Sequence, residues 1–296
     1  MQLYQERDFG AKLNATFQYV GENFNSLGRA LLYIVGPVAL IVAILSAVIQ
    51  SDLFEAIRSV PTRRVPAGDY SGTVTIFSQF TRPTFLLTVG LGLFTNVLVI
   101  LTTYAHMNVY EREKDRSPEQ TGDMSVAGVW AELQPMLGRG IVVAVLGSIV
   151  TFVASLFLLI PGIYVGVVLS LALAVTAFEG TNFGETWNRC FRLIRDKWWS
   201  TFGLIFIVSI IVGVINAIFA LPGAVIGLLF GMKLLPGAAT PWLIAGNVAA
   251  LVGRTLLNAL LYIAIGFQYT NLVERQEGRG TSALIDSIGS DQPNPE

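Results

Sequence analysis

The chain is poor in the residues that most reaction and binding chemistries need. Its one cysteine, Cys190, excludes an intrachain disulfide framework and any multi-cysteine metal site. Its one histidine, His106, excludes mechanisms built on a histidine pair. Charged residues make up 13% of the chain, against about 25% in an ordinary soluble domain. The formal net charge is −1, so no global basic field points to DNA or RNA, and no nucleic-acid partner is expected. No phosphate-binding loop, dinucleotide fingerprint, zinc motif or nucleophile elbow stands in a fitting context, so neither cofactor nor metal is expected. The first 29 residues lack a short apolar core followed by a small-residue cleavage site. That pattern predicts that insertion uses the first span as an uncleaved signal.

What is present is apolar. Hydrophobic residues reach 53%, too many to be covered by the few polar side chains in water, so a lipid solvent is the first reading. A bilayer core about 30 Å thick needs roughly 20 apolar helical residues. Ala30 to Gln50 and Thr84 to His106 each fit one span. Gly140 to Phe178 is free of charge but about 58 Å long as a helix, too long for one crossing. Pro161-Gly162 marks a turn inside it, giving spans near Gly140 to Ile160 and Ile163 to Phe178. Ser200 to Met232 carries a second such break at Pro222-Gly223. The following segment, Ala224 to Leu235, is too short to cross and reads as peripheral or re-entrant. A sixth span starts near Leu251 and ends near Phe267. Glu111 to Asp123 reads as a solvated loop, and residues 280–296 read as a short flexible tail after a single membrane domain over residues 1–279.

Thirteen lysines and arginines fall on one side of this six-span arrangement and five on the other. The positive-inside rule then places both termini in the cytoplasm.

A repeat is visible beneath the spans. FGAKLNATFQYVGENF from Phe9 aligns without a gap on FGETWNRCFRLIRDKW from Phe183, sharing Phe, Gly, Asn and Phe at equivalent positions. Leu13, Phe17, Val20 and Phe24 match the spacing of Trp187, Phe191, Ile194 and Trp198, and Val126, Trp130, Leu133 and Leu137 give it once more. Each set lines one side of a helix. The expected fold is therefore all-α and polytopic. Six transmembrane helices form three hairpins, each preceded by a cytoplasmic amphipathic helix, in units of about 9–106, 124–178 and 183–269. In the third copy Arg189, Arg192 and Arg195 are expected opposite the aromatic stripe, in the headgroup layer.

The run from Pro161 to Tyr164, Glu179, the Trp/Arg-rich helix from Trp187 to Trp198 and Phe202 to Leu204 resembles a group of uncharacterised bacterial six-span proteins. That group includes the membrane domain attached to some glycerophosphodiester phosphodiesterases. The stretch TNLVERQEG keeps Leu272, Arg275, Glu277 and Gly278 of the group's pattern and departs at Thr270, Asn271 and Val273. The resemblance covers mainly Ile160 to Gly278 and implies a six-span fold in a bacterial inner membrane. It implies no phosphodiesterase activity, which belongs to a separate soluble domain.

Few residues are left as candidates for function. Glu179 closes span four and either pairs with Arg189 or Arg192 to gate a pathway or caps a helix end. Arg254 lies in the last span, where an ion is a functional candidate, although near its edge a long side chain can snorkel. Asn96 and Asn216 sit within spans and either line a polar path or bond between helices. His106 reads as an interface residue at a span end. Two functions follow. One is a non-catalytic membrane protein for transport or for lipid or small-molecule handling. The other is a membrane scaffold that regulates a partner enzyme. Membrane lipids are the expected partners, with a protein partner or a homo-oligomer as a further expectation.

Overall fold

The computed structural model describes residues 1–59, 74, 77–116, 124–232, 234 and 239–282. Among them every regular element is helical. Six stretches are long and apolar enough to cross a membrane: Phe9–Leu53, Pro83–Glu113, Val126–Leu156, Leu159–Glu179, Trp198–Leu229 and Pro241–Glu277. The chain is thus a multi-pass membrane protein by length and composition.

Helix α1 (Phe9–Ala30) starts at Asp8, whose carboxylate accepts from the Ala11 amide. It passes through a π-helical turn (Leu31–Val35) directly into α2 (Gly36–Ser59). Helix α3 (Pro83–Arg116) opens on a proline, which needs no amide partner at a helix start. It runs past the expected end at His106, so residues 111–116 are helical rather than a solvated loop, while residues 117–123 lie outside the described residues. Helix α4 (Val126–Phe157) is capped by the Ser125 hydroxyl on the Gly128 amide.

The hairpin expected at Pro161-Gly162 turns three residues earlier. Leu158 alone is extended, and α5 (Leu159–Leu169) begins immediately after it. Pro161 is the third residue of α5, where its missing amide costs nothing. Gly162 serves close packing instead of the turn, because a Cβ there would lie 2.8 Å from the Ser155 Cα of α4. Helix α6 (Ala172–Glu179) ends on Gly180, which adopts the left-handed φ of 68° that glycine tolerates.

Helix α7 (Phe183–Ile194) is separated from α8 (Trp198–Gly231) by a three-residue turn in which Asp196 takes φ 62°. The segments at Phe9 and Val126 lack such a turn and continue into their spans. Pro222 lies inside α8 and does not end it, so the break expected at Pro222-Gly223 is absent and residues 224–231 continue the helix that starts at Trp198. Membrane helices tolerate proline in this way because freed carbonyls find other partners. Helix α9 (Ala239–Glu277) closes the described chain apart from one turn over residues 279–282. The second Leu-Pro-Gly, at Pro236-Gly237, and the tail beyond residue 282 lie outside the described residues.

The helices pack as two units. The first comprises Met1–Ile34, Val97–Val212 and Asn258–Glu296; the second comprises Val35–Asn96 and Gly213–Leu257. In the first unit α1 is inverted relative to a water-soluble amphipathic helix. Its buried face carries Lys12, Thr16, Tyr19, Asn23 and Ser26. Its apolar stripe of Phe9, Phe17 and Phe24 is exposed, as suits a helix whose outer solvent is lipid. In the second unit, Ala47 and Leu243 pack with Ile226 and Ile244. There α8 approaches α9 so closely that a Cβ on Gly246 would lie 2.9 Å from the Gly223 Cα.

Candidate functional site

The α6–α7 junction carries a buried ionic cluster of the first unit. Gly180 stops α6, and Asn182 then starts α7 with a capping box. Its side chain accepts from the Glu185 amide at 3.1 Å, and the Glu185 carboxylate accepts from the Asn182 amide at 3.0 Å. Arg139 of α4 donates to the Gly180 carbonyl. The hydroxyls of Thr176, Thr186 and Thr181 join across the bend, at 3.1 Å and 2.7 Å. This tight connection folds α7 back on α6 and brings Arg189 to Glu179.

Arg189 does not face headgroups or water. Its side chain is 8% exposed, against 13% for Glu179. The guanidinium Nε donates to both Glu179 oxygens, at 2.8 Å and 3.0 Å. Its Nη2 lies 2.5 Å from the Glu277 carboxylate near the end of α9. Tyr269, two turns before Glu277 on the same helix, donates its hydroxyl to Glu179 at 2.8 Å and stacks on Phe178. Glu277 also meets Arg279 at 3.3 Å. Gln276 donates to the carbonyls of Arg192 and Leu193, which satisfies the orphan acceptors at the end of α7.

Burial alone would lower the Arg189 pKa, but the hydrogen bonds and charges of Glu179 and Glu277 outweigh it and hold the group above its ordinary value. Cys190, beside it on α7, is buried, and desolvation pushes its thiol up to about 12. With its oxygens engaged by Arg189 and Tyr269, Glu179 is built as an ionic joint between α6, α7 and α9.

The other candidates are not drawn into this joint. Arg192 contributes a backbone carbonyl while its side chain stays exposed. Arg254 and Asn96 are exposed and Asn216 is half-buried, all three in the second unit. Among the described residues no group of three or more His, Cys, Asp and Glu side chains is placed to hold a metal ion.

His106 is a core residue, fully buried, with the Tyr19 hydroxyl 2.7 Å from Nδ1 and the Ser26 hydroxyl 3.1 Å from Nε2. A second buried polar contact ties α1 to α9. Lys12 donates to the Gln268 side chain at 2.7 Å, and Gln268 donates to Thr201 at 2.8 Å.

A family model described as a domain of unknown function (DUF7847) matches residues 120–272, just over half the chain. The chain belongs to this family. The DUF7847 match contains Glu179, Arg189 and Tyr269 of the joint and ends before Glu277. No curated protein and no solved structure matches the chain.

Proposed function

We propose that this DUF7847 protein is a non-catalytic integral membrane protein that handles lipid or an amphiphilic small molecule at the aromatic and cationic rim around α7. The observation that carries the reading is an aromatic ladder. Tyr164 stacks on Trp198 at 5.7 Å between ring centres, Trp198 on Phe202 at 5.3 Å, and Phe202 on Phe206 at 5.8 Å. Tyr164, Phe206 and Trp199 are exposed, and so are Arg192 near the end of α7 and Arg195 just after it. Cations beside a flat aromatic surface suit a molecule with an anionic head and an apolar body.

In the same reading both termini lie in the cytoplasm, on the strength of the cation asymmetry. The chain is then three parallel helix-plus-hairpin units. Side-chain caps at Asp8, Ser125 and Asn182, one at the start of each unit, support that division.

The test is lipidomics and solute uptake in a strain lacking the gene, complemented by the wild-type chain, by Trp198→Ala/Phe202→Ala and by Arg192→Gln/Arg195→Gln. The reading expects an altered lipid or solute profile that the wild type restores and both variants fail to restore. An unchanged profile, with one enzyme copurifying at fixed stoichiometry, would replace it with the scaffold reading.

A further inference from the structure

The first eight residues form a strap beside the start of α1, anchored by Leu3, which is fully buried. Strap and helix line an open cavity of about 370 Å3, within the first unit, that the proposed function does not use. We propose that this cavity binds a small uncharged polyol, and that the occupant fixes the strap and, through it, the end of α9. The site is separate from the rim around α7 and does not depend on lipid handling there.

Helical spacing makes one wall. Ala11, Ala15 and Gln18 follow one another at four and three residues, so they share a face of α1, with Asn14 beside them. The two alanines leave room that longer side chains would fill. The strap makes the other wall with Gln5, Glu6, Arg7 and Asp8. The volume lies at the small end of the range for ligand sites, about 300–1,000 Å3. The lining is largely polar, which calls for a polar occupant.

The charged groups of the lining are already engaged by the protein. Arg7 donates to the Leu3 carbonyl at 2.9 Å and to that of Gln2. Asp8 accepts from the Ala11 amide at 2.7 Å, and Glu6 lies 3.5 Å from Arg275. Two carboxylates thus stand against two guanidiniums, which favours neither an anion nor a cation. Gln5 and Asn14, by contrast, form no side-chain hydrogen bond among the described residues, and both are exposed, so an occupant can reach them. Gln18 donates to Glu22 at 2.7 Å and keeps its carbonyl oxygen. A primary amide sets donor and acceptor side by side, and a hydroxyl both donates and accepts. Several amides around a small cavity therefore match a molecule with several hydroxyls.

The strap links this cavity to α9. Asn271 donates to the Arg7 carbonyl at 3.0 Å, and the Arg7 guanidinium lies 5.2 Å from the centre of the Phe267 ring. Both partners belong to α9, whose last residue, Glu277, meets Arg189. A molecule bridging strap and α1 therefore also restrains the end of α9.

The test uses the full chain in phosphatidylcholine nanodiscs, with myo-inositol as the probe and saturation-transfer NMR as the readout. Saturable transfer to myo-inositol is expected. Asn14→Leu and Gln5→Leu/Gln18→Leu should each weaken it severalfold, while Trp198→Ala/Phe202→Ala, at the rim around α7, should leave it unchanged. The three amide side chains are exposed, so these variants should fold, which thermal unfolding checks. Bound myo-inositol should also slow hydrogen exchange over residues 1–8 and 271–277. Monogalactosyldiacylglycerol added to the nanodiscs distinguishes the sources of such hydroxyls. Displacement of myo-inositol assigns the site to a lipid headgroup, no displacement assigns it to a soluble polyol, and either supports the site. No saturable transfer, or transfer untouched by the amide substitutions, would overturn it. Displacement by phosphate or by tetramethylammonium at constant ionic strength would show an ion site and overturn the uncharged ligand. Unchanged hydrogen exchange at saturation would overturn the link to α9.

Discussion

The two packing units solve the same problem, holding helices together in lipid, by different means. In the first unit the interior is polar. Among the described residues, Lys12, Thr16, Asn23, Ser26, Thr102, Thr103, His106, Thr176, Thr186, Arg189, Thr201, Gln268, Thr270, Asn271 and Glu274 are buried there. In the second unit the buried polar residues, among the described residues, are Ser51 and Gln79. Its helices meet chiefly through small residues, as at Gly223 and Gly246, with a long Gln50–Asn247 side-chain hydrogen bond of 3.4 Å beside them. Lipid tails are as apolar as leucine, so apolar contact alone gives helices little preference for one another over lipid. Close backbone approach supplies that preference in the second unit. Directional hydrogen bonds and ion pairs supply it in the first, where they also fix which helix meets which.

The sharpest way to break the comparison is to remove a charge from the polar interior. Arg189→Met leaves Glu179 and Glu277 without their shared cation, with Glu179 largely buried. Stability should fall by about 3–5 kcal/mol, read from denaturant unfolding in detergent or bilayers. In the second unit the corresponding injury is steric. Gly246→Val places a Cβ against the Gly223 backbone and should cost about 1–3 kcal/mol in the same measurement.

Cys190 sharpens the contrast without removing a contact. Its thiol, raised to about 12 from an ordinary 9.0, should resist maleimide in the folded chain and react once it is unfolded. The same shift has a pH signature. Between pH 9 and about 12 the unfolded thiol loses its proton while the folded one keeps it, so this residue's contribution to stability falls as pH rises through that window. Cys190→Ala should flatten that part of the pH profile. The smallest effects belong to exposed cations. Arg254→Ala and Arg192→Ala should each change stability by less than about 0.5 kcal/mol.

The spans were legible in the sequence because length and absence of charge are strong signals, and six emerge on both readings. Their turns were less legible. Proline marks either a break or the first turn of a new helix, so Pro161 pointed to the right hairpin three residues late. At Pro222 it marked no break at all. The Glu179–Arg189 pair was within reach, since a ten-residue spacing across a glycine turn can fold back on itself. Its burial was not legible. Helical spacing separates the stripe of Trp187 and Phe191 from the side of Arg189, but it does not say which side meets protein. The direction emerges only when Tyr269 and Glu277 arrive from a helix some 90 residues away. The same limit hid His106, whose partners on α1 precede it by 80 and 87 residues.

The ionic joint of α6, α7 and α9 is the most heavily buried ion pairing described in the first unit, and a double-mutant cycle of Arg189→Met and Glu179→Leu tests it directly. The joint predicts strong coupling, with the double variant more stable than the two single losses combined would allow, by about 0.5–3 kcal/mol. Losses that add to within about 0.3 kcal/mol would show that Arg189 and Glu179 do not act on one another, and would contradict it.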